Sequence, residues 1–280
     1  MAAISTDGRS PSCPWTNDEA LAWGRGRLAE TDEAEWAAKR LLAHVQGCTL
    51  SELFAYPDRR LAGQEAAAYR ALVERRAQHE PVAYLVGHRG FLELDLLVDR
   101  RVLIPRPETE LLVERAVALA RRSGTTLRVA DVGTGSGAIA IGLAVALPQA
   151  ELPAAAIYAL DRSPDALEVA RQNAALHGVA ERITFLEGDL LAPLSTPVDL
   201  IVANLPYVTE DEYAALPPGI RDYEPRAALV AGADGLDAIR RLLHTARPHL
   251  SPGGVILLEI GAAQGATVRN WPPTLFPRRT

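Results

Sequence analysis

The sequence predicts a doubly wound α/β domain that is preceded by a small helical bundle and a β-hairpin linker. Three observations support this fold class. From residue 105 onward, short apolar runs alternate with segments of helical periodicity. The runs are continuous, which is typical of parallel strands covered by helices on both faces. A glycine-rich segment follows the first run, at the position where doubly wound folds bind nucleotides.

The bulk properties describe an ordinary globular chain and disfavour several classes of protein. Hydrophobic residues make up 48 % and charged residues 23 % of the 280 residues, enough for one large or two small domains. No apolar run approaches the roughly 18–20 residues that span a bilayer, so no membrane association is expected. Cys13 and Cys48 match no zinc-ligand spacing, so no metal site is predicted and a reduced, cytoplasmic chain is the simplest interpretation. The net charge of −6 argues against broad nucleic-acid binding.

The first part of the chain is predicted to be helical. Residues 1–16 lack the apolar core of a secretory signal and are interpreted as a disordered tail. Residues 17–88 carry apolar stripes at helical spacing, with a stop at Gly47 and a new start at the capping box of Thr49 and Glu52. They predict a small helical bundle, which serves either as a packing module or as a domain that docks a partner.

A change to period-two alternation marks the connection between two domains. In "FLELDLLVD" (91–99), leucine and valine alternate with mostly acidic residues. This pattern predicts an antiparallel strand or hairpin within a linker over residues 89–104. The α/β domain then occupies residues 105–280.

Within the α/β domain, the sequence predicts five strands with helices between them. A helix over 109–122 begins with acidic and ends with basic residues, as the helix dipole favours. Another helix begins after the N-cap Ser163 and stops at Gly178. The strand candidates are the apolar runs at 127–132, 156–160, 183–186, 198–203 and 254–260.

The glycine-rich loop after the first strand predicts a nucleotide site. Gly133, Gly135 and Gly137 allow a sharp turn and a close approach of the backbone to a ligand. Asp161 ends the second strand, 24 residues beyond Gly137, where an acid can accept hydrogen bonds from ribose hydroxyls. The spacing also fits the loose dinucleotide pattern, so a dehydrogenase stays open, as does a purely structural role in helix packing. A P-loop is excluded, because no Gly-Lys-Ser/Thr follows.

The tetrapeptide Asn204-Leu205-Pro206-Tyr207 follows the fourth strand and predicts a clamp for a planar amino group. The switch-point rule places it beside the nucleotide crevice. Asn204 offers a side-chain carbonyl, and Pro206 favours an extended Leu205 whose backbone carbonyl is held in place. Two acceptors and the flat ring of Tyr207 can aim the nitrogen of an amide or ring amine at a methyl donor. Taken alone, the tetrapeptide is also typical of a turn.

Several longer motifs together resemble one enzyme family. They are "EPVAYLVGHRGFLELDLLVDRRVLIPRPETELLVERA" (80–116), "DVGTGSGAIAI" (131–141) and "DYEPRAALVAGADGLDAIRRLL" (222–243), and "LIPRPETE" (103–110) is particularly specific. Through them, the chain from about residue 18 to about residue 265 resembles the HemK/PrmC protein-(glutamine-N5) methyltransferases. The resemblance implies a Rossmann-like domain that uses S-adenosyl-L-methionine to methylate the glutamine of the GGQ motif in bacterial peptide chain release factors.

The resemblance also implies roles for particular residues. The methyl donor is expected to contact Gly133, Thr134, Gly135, Ser136, Gly137, Asp161, Asp189, Leu190 and Asn204. The substrate glutamine is expected to lie against the catalytic residues Asn204, Leu205, Pro206 and Tyr207. The helical bundle is expected to help dock the release factor, whose GGQ loop enters between the domains. A monomer without direct nucleic-acid contacts is expected.

The sequence departs from the family pattern at three places. Leu205 replaces the usual proline of Asn-Pro-Pro-Tyr, and the NLPY version also occurs in rRNA adenine dimethyltransferases. Leu190 replaces a frequent aromatic residue, so adenine is expected to meet an aliphatic side chain, with Asp189 near its amine. Only 19 residues follow Gly261, and residues 270–280 read as neither of the two strands that usually follow. The domain is therefore expected to lack its last strands and to expose the fifth strand as an edge.

Two further functions stay open beside glutamine methylation of release factors. One is methylation of another protein glutamine, as in a ribosomal protein, or of RNA adenine; the other is an inactive, truncated homologue. Arg106 and Glu108 either orient the interdomain loop or touch the ligand, or they serve in capping and a salt bridge. Glu224 and Arg226 are expected to brace the loop after the tetrapeptide, and Glu259 to support the substrate pocket.

Overall fold

The structure, a computed structural model, describes residues 15–123, 127–147 and 156–271. Contacts between residues divide the chain into two units, Met1–Val86 and Gly87–Thr280. Almost all of the predicted tail at 1–16 lies outside the described residues. In the described part of the chain, no helix is both long enough and apolar enough to cross a membrane.

The first unit contains helices whose ends follow local capping signals. They are α1 (Asn17–Arg27), α2 (Ala34–Gln46), α3 (Leu50–Ala55), α4 (Gly63–Ala77) and α5 (Val82–Val86). Gly47 ends α2 in the left-handed conformation, as predicted. The Glu52 N–H donates to Thr49 Oγ1 and the Thr49 N–H donates to the Glu52 carboxylate, which confirms the capping box of α3. The fully buried ring of Tyr69 lies in the core of these helices.

A hairpin opens the second unit. Strand β1 (His88–Phe91) pairs antiparallel with β2 (Leu94–Leu97), and Phe91 lies opposite Leu94. In the tight turn between them, Leu92 takes a φ of 52°. The hairpin inferred from the period-two pattern is therefore confirmed.

The second unit is built on five parallel strands. They are β3 (Arg128–Val132), β4 (Ala156–Asp161), β5 (Ile183–Glu187), β6 (Val198–Ala203) and β7 (Leu250–Leu258). Their order in the sheet is β5–β4–β3–β6–β7. The chain builds outward from β3 in one direction and then returns to its other side with β6. The carboxyl ends of β3 and β6 therefore meet at the switch point, where doubly wound folds place their ligands.

Helices cover both faces of this sheet, which confirms the doubly wound fold. They are α6 (Pro107–Ser123), α7 (Ala138–Ala146), α8 (Pro164–Leu176), α9 (Glu210–Ala215), α10 (Pro218–Arg221), α11 (Asp237–Ala246) and α12 (Gly265–Arg269). Alternate strand residues point to opposite layers: Val129 packs in a core with α6 and α7, and Ala130 in a core with α11. Burial on both faces explains why the strands read as continuous apolar runs.

The last strand starts earlier than the sequence indicates. β7 begins at Leu250 rather than at residue 254, because a register shift in its pairing with β6 is accommodated around Gly253, whose φ is 81°. Among the described residues, β7 pairs with β6 alone. The absence of further strands stays a prediction, since residues 272–280 lie outside the described part of the chain.

Candidate active site

The glycine loop between β3 and α7 is shaped by three residues with positive φ. Gly133, Gly135 and Gly137 have φ values of 77°, 55° and 83°. A Cβ on Gly133 would lie 3.1 Å from Leu205 Cδ2, and one on Gly137 would lie 2.8 Å from Ile141 Cδ1, so both glycines serve close packing. A Cβ on Gly135 would meet no atom within 4 Å. Gly133 is exposed and Gly135 half-buried, so the backbone of the loop reaches the surface at these two glycines and is buried at Gly137.

Asp161 at the end of β4 lies directly against this loop. Its Oδ2 accepts a hydrogen bond from the Gly135 N–H at 2.9 Å, and its Oδ1 accepts one from the Ser163 N–H at 2.9 Å. Each carboxylate oxygen retains a lone pair for another donor. The predicted pairing of glycine loop and acid is thus present in three dimensions.

A second carboxylate, Asp131, holds the loop from inside the sheet. Asp131 is fully buried, and its Oδ2 accepts hydrogen bonds from Thr134 Oγ1 at 2.6 Å and the Ala140 N–H at 3.1 Å. Burial, opposed by these hydrogen bonds and assisted by the charge of Asp161, raises the pKa of Asp131 to about 7. Asp131 was not singled out from the sequence, although a carboxylate near the end of an apolar strand indicates a site at the edge of the sheet.

Thr134 and Ser136 act as internal supports of the loop. Both are buried, and neither lines the adjoining cavity. Thr134 bonds to Asp131, and the Ser136 carbonyl accepts a hydrogen bond from Asn173 Nδ2 at 2.9 Å. The same Asn173 amide binds both the N–H and the carbonyl of Leu97 at the end of β2. A single buried side chain on α8 therefore joins the hairpin to the glycine loop.

A cavity of about 400 Å³ opens at the carboxyl edge of the sheet. Its lining includes the predicted ligand residues Gly133, Gly135, Asp161, Asp189, Leu190 and Asn204. The Asp189 carboxylate pairs with Arg241, a lining residue that sequence reasoning missed. Leu190 reaches the cavity from a left-handed backbone conformation, with φ of 50°.

The tetrapeptide after β6 stands at the wall of this cavity. The Leu205 side chain is buried in the core shared with α11 and contributes to the lining. Among the described residues, none donates a hydrogen bond to the Leu205 carbonyl or to Asn204 Oδ1. Two oxygen acceptors on neighbouring residues are thus available to a ligand.

Behind the tetrapeptide, hydrogen bonds connect two of its side chains to Thr109 and Glu259. Asn204 Nδ2 donates to Thr109 Oγ1 at 2.9 Å, and Thr109 Oγ1 donates to Glu259 Oε2 at 2.7 Å. The Tyr207 hydroxyl donates to Glu259 Oε1 over 3.4 Å. Burial, and secondarily the neighbouring Glu259 carboxylate, raises the pKa of Tyr207, so its hydroxyl stays protonated at neutral pH. Glu259 therefore supports the site as expected, while Thr109 belongs to the specific segment 103–110 but was assigned no role of its own from the sequence.

A smaller cavity of about 200 Å³ lies on the other side of the tetrapeptide. It is lined by Tyr207, Arg106 and apolar side chains such as Ile220. Asn204 and Leu205 line both cavities. The two acceptors therefore belong to residues that line both cavities, an arrangement that suits transfer of a group from one cavity to the other.

Ion pairs fix the segments around the smaller cavity. Arg106 Nη2 lies 2.6 Å from Glu224 Oε1, and Glu224 Oε2 accepts the Ile104 N–H at 3.1 Å. Glu224 thus ties the loop before α6 to the longer loop after the tetrapeptide, in which it lies, so it braces that second loop as expected. Arg226 also serves that second loop, since it pairs with Glu210 at the start of α9.

The fold and the site together define an α/β methyltransferase. A glycine loop and an acid lie at the switch point, where doubly wound folds bind nucleosides, and the residues of the acceptor pair also line a second cavity. In the described ranges, no group of three or more His, Cys, Asp or Glu side chains is arranged to hold a metal ion.

Comparison with known proteins agrees with the methyltransferase class and identifies the family within it. The family described as PrmC N-terminal domain matches residues 19–87, and the family described as Methyltransferase domain matches residues 123–265. The release factor glutamine methyltransferase of Geobacter sulfurreducens is 42% identical over 257 residues, which cover 91% of this chain and 87% of that protein. Those of Xylella fastidiosa (strain Temecula1) and Cereibacter sphaeroides are 45% and 46% identical, over 83% and 89% of this chain and 82% and 87% of theirs. The chain belongs to the release factor glutamine methyltransferase family.

Proposed function

We propose that the chain transfers a methyl group from S-adenosyl-L-methionine to the side-chain amide nitrogen, N5, of the glutamine in the GGQ motif of bacterial peptide chain release factors. The observation that carries the proposal is that Asn204 and Leu205, which offer the two oxygen acceptors, line both cavities. Membership of the family supports the substrate class.

The larger cavity fits the methyl donor. Its lining offers the exposed backbone of Gly133, the remaining lone pairs of Asp161 and the aliphatic side chain of Leu190. These groups suit a nucleoside with ribose hydroxyls and an apolar base face. When bound, S-adenosylmethionine supplies an electrophilic methyl group on a sulfonium, with a neutral thioether as leaving group.

The residues of the tetrapeptide position the acceptor nitrogen. An amide nitrogen is a weak nucleophile, because its lone pair is delocalised into the carbonyl. Asn204 Oδ1 and the Leu205 carbonyl accept its two N–H bonds and direct the nitrogen toward the larger cavity. Such positioning contributes several kcal/mol, roughly 7–11 at the most. The Tyr207 ring, held by its hydroxyl, walls the smaller cavity.

The first unit is proposed to dock the release factor. It presents exposed aromatic side chains, Trp36, Phe54 and Tyr56, at 42%, 54% and 64% exposure. Exposed side chains of this size are suited to contact with a protein partner. Within this proposal, the enzyme works as a cytoplasmic monomer that does not contact nucleic acid directly.

A labelling assay tests the proposal. The full chain is incubated with methyl-labelled S-adenosylmethionine and a bacterial release factor, and in parallel with a release factor whose GGQ glutamine is replaced by alanine. Label is expected only in the first reaction. Label that persists after the replacement contradicts the glutamine assignment, and label in ribosomal protein or RNA in its place supports the alternative acceptors.

A further inference from the structure

The buried hydrogen bonds behind Asn204 have a fixed direction. Glu259 immediately follows β7, and its N–H donates to the Ala203 carbonyl at 3.0 Å. Ala203 ends β6 and directly precedes the tetrapeptide, so this hydrogen bond fixes the backbone of Glu259 beside Asn204. Thr109 lies in the first turn of α6 and is 4% exposed. Its hydroxyl is within 2.9 Å of both Glu259 Oε2 and Asn204 Nδ2.

The Glu259 carboxylate determines which way each hydrogen points. An ionised carboxylate only accepts hydrogen bonds, so the single hydroxyl hydrogen of Thr109 must point to Glu259. Only lone pairs of Thr109 Oγ1 then face Asn204, and the amide must present its NH2 group to them. The opposite rotamer would set Asn204 Oδ1 against these lone pairs. The Asn204 acceptor is thereby turned away from Thr109.

This direction matters because the substrate group is itself a donor. An amide –NH2 can be held only by acceptors, whereas a rotated Asn204 would face it with a second –NH2. Among the described residues, only Thr109 forms a hydrogen bond with the Asn204 side chain, so without it no hydrogen bond selects between the two rotamers. The other oxygen of Glu259 accepts the Tyr207 hydroxyl, so the same carboxylate also holds the ring of the clamp.

We infer that Thr109 is a positioning residue whose hydroxyl, oriented by Glu259, keeps the Asn204 carbonyl oxygen turned toward the substrate nitrogen. The inference rests on the proposed function for its effect on catalysis. Its effect on the Asn204 rotamer is a property of the protein alone.

Replacement of Thr109 by valine, which has nearly the same shape, tests the inference. Thr109→Val is expected to lower kcat for the release factor about 10- to 100-fold, with little change in KM, because only the aim of the nitrogen is lost. Thr109→Ser keeps the hydroxyl and is expected to restore kcat to within about threefold of the unaltered enzyme. Thr184→Val, an exposed substitution on β5, is the matched control and is expected to leave kcat unchanged.

A measurement without activity separates this inference from the proposed function. In ¹H–¹⁵N spectra of the protein alone, the Asn204 side-chain NH2 signals are identified by their loss in Asn204→Ala. They are expected to shift in Thr109→Val and to return in Thr109→Ser. Unshifted signals, or an unaltered kcat in Thr109→Val, overturn the inference.

If the unaltered enzyme does not methylate the release factor, the proposed function is contradicted. The spectra of the protein alone then decide the inference. If Thr109→Val fails to fold, Glu259→Ala replaces it. This variant removes the acceptor that orients the Thr109 hydroxyl and is expected to produce the same shift.

Discussion

The Arg106 guanidinium lies 2.6 Å from the Glu224 carboxylate, although 118 positions separate the two residues in the sequence. The Glu224 side chain is 1% exposed. Its second oxygen holds the Ile104 N–H, so this pair ties the loop before α6 to the segment after α10. A buried carboxylate of this kind is stable only while its charge is compensated.

Removal of the Arg106 cation is therefore expected to lower the free energy of unfolding more than removal of the Glu224 charge. Arg106→Ala leaves the carboxylate buried without a cation and should lower the free energy of unfolding by about 2–4 kcal/mol. Glu224→Gln keeps an acceptor for Ile104 and should lower it by about 1 kcal/mol. Urea unfolding of both variants measures the difference. Equal losses would show that the charge of Glu224 is already screened by solvent.

Asp131 should make stability depend on pH. Its pKa in the folded chain is about 7, against an ordinary value of 3.8, so the folded state binds the proton more tightly. The stability that the protonated Asp131 side chain contributes is fully present below about pH 4 and is lost as the pH rises through about 7. In the unaltered protein, the free energy of unfolding should therefore decline by on the order of 2–4 kcal/mol between pH 4 and pH 8. Asp131→Asn cannot ionise, so this decline should be absent in the variant. Thermal unfolding of both proteins across this range measures it, and parallel pH profiles would contradict the prediction.

Asn173 should be needed for both the hairpin and the glycine loop. Asn173→Ala removes its hydrogen bonds to Leu97 and Ser136 and should lower the free energy of unfolding by about 1–3 kcal/mol. The affinity for S-adenosylmethionine, measured by calorimetry, should fall as the loop loosens. Gln172→Ala is the matched control, because this neighbouring side chain is exposed and should change stability by no more than about 0.5 kcal/mol. An equal effect of the two substitutions would argue against the role of Asn173.

The two acceptors of the clamp should respond differently to truncation. Asn204→Ala deletes an acceptor and should lower kcat about 100- to 1000-fold. Leu205→Ala leaves its carbonyl in place and should keep kcat within about tenfold, while the lost packing against the core lowers stability by about 2–3 kcal/mol. Steady-state kinetics and urea unfolding are compared for both variants. A loss of kcat in Leu205→Ala as large as that in Asn204→Ala would mean that the side chain, and not the carbonyl, serves the substrate.

The parts of the molecule that could be predicted from sequence depend on local physics. The capping box of Thr49 and Glu52 and the N-cap of Ser163 are formed by residues close in the chain, and the structure contains both. Buried strands are recognisable because helices on both sides require continuous apolar runs. The glycine loop and Asp161 could be paired because the switch-point rule brings the ends of neighbouring strands together.

The parts that escaped prediction depend on contacts between distant segments. Thr109 contacts Asn204 and Glu259 across 95 and 150 positions, and the motif in which it lies does not reveal these partners. Arg241 became a cavity residue only through the placement of α11 beside β6. Leu190 adopts the left-handed conformation that glycine usually occupies, so its residue type does not indicate this conformation. Such features require the register of the sheet, which a single sequence does not specify.

The absence of a Cβ on Gly133 has a thermodynamic consequence. It lets the glycine loop rest on the Leu205 side chain. In the proposed function this loop contacts the methyl donor and the Leu205 carbonyl contacts the acceptor. A ligand that orders one of these segments therefore lowers the entropic cost of ordering the other. Linkage then requires that donor and acceptor change each other's affinity by the same factor, whichever of them arrives first.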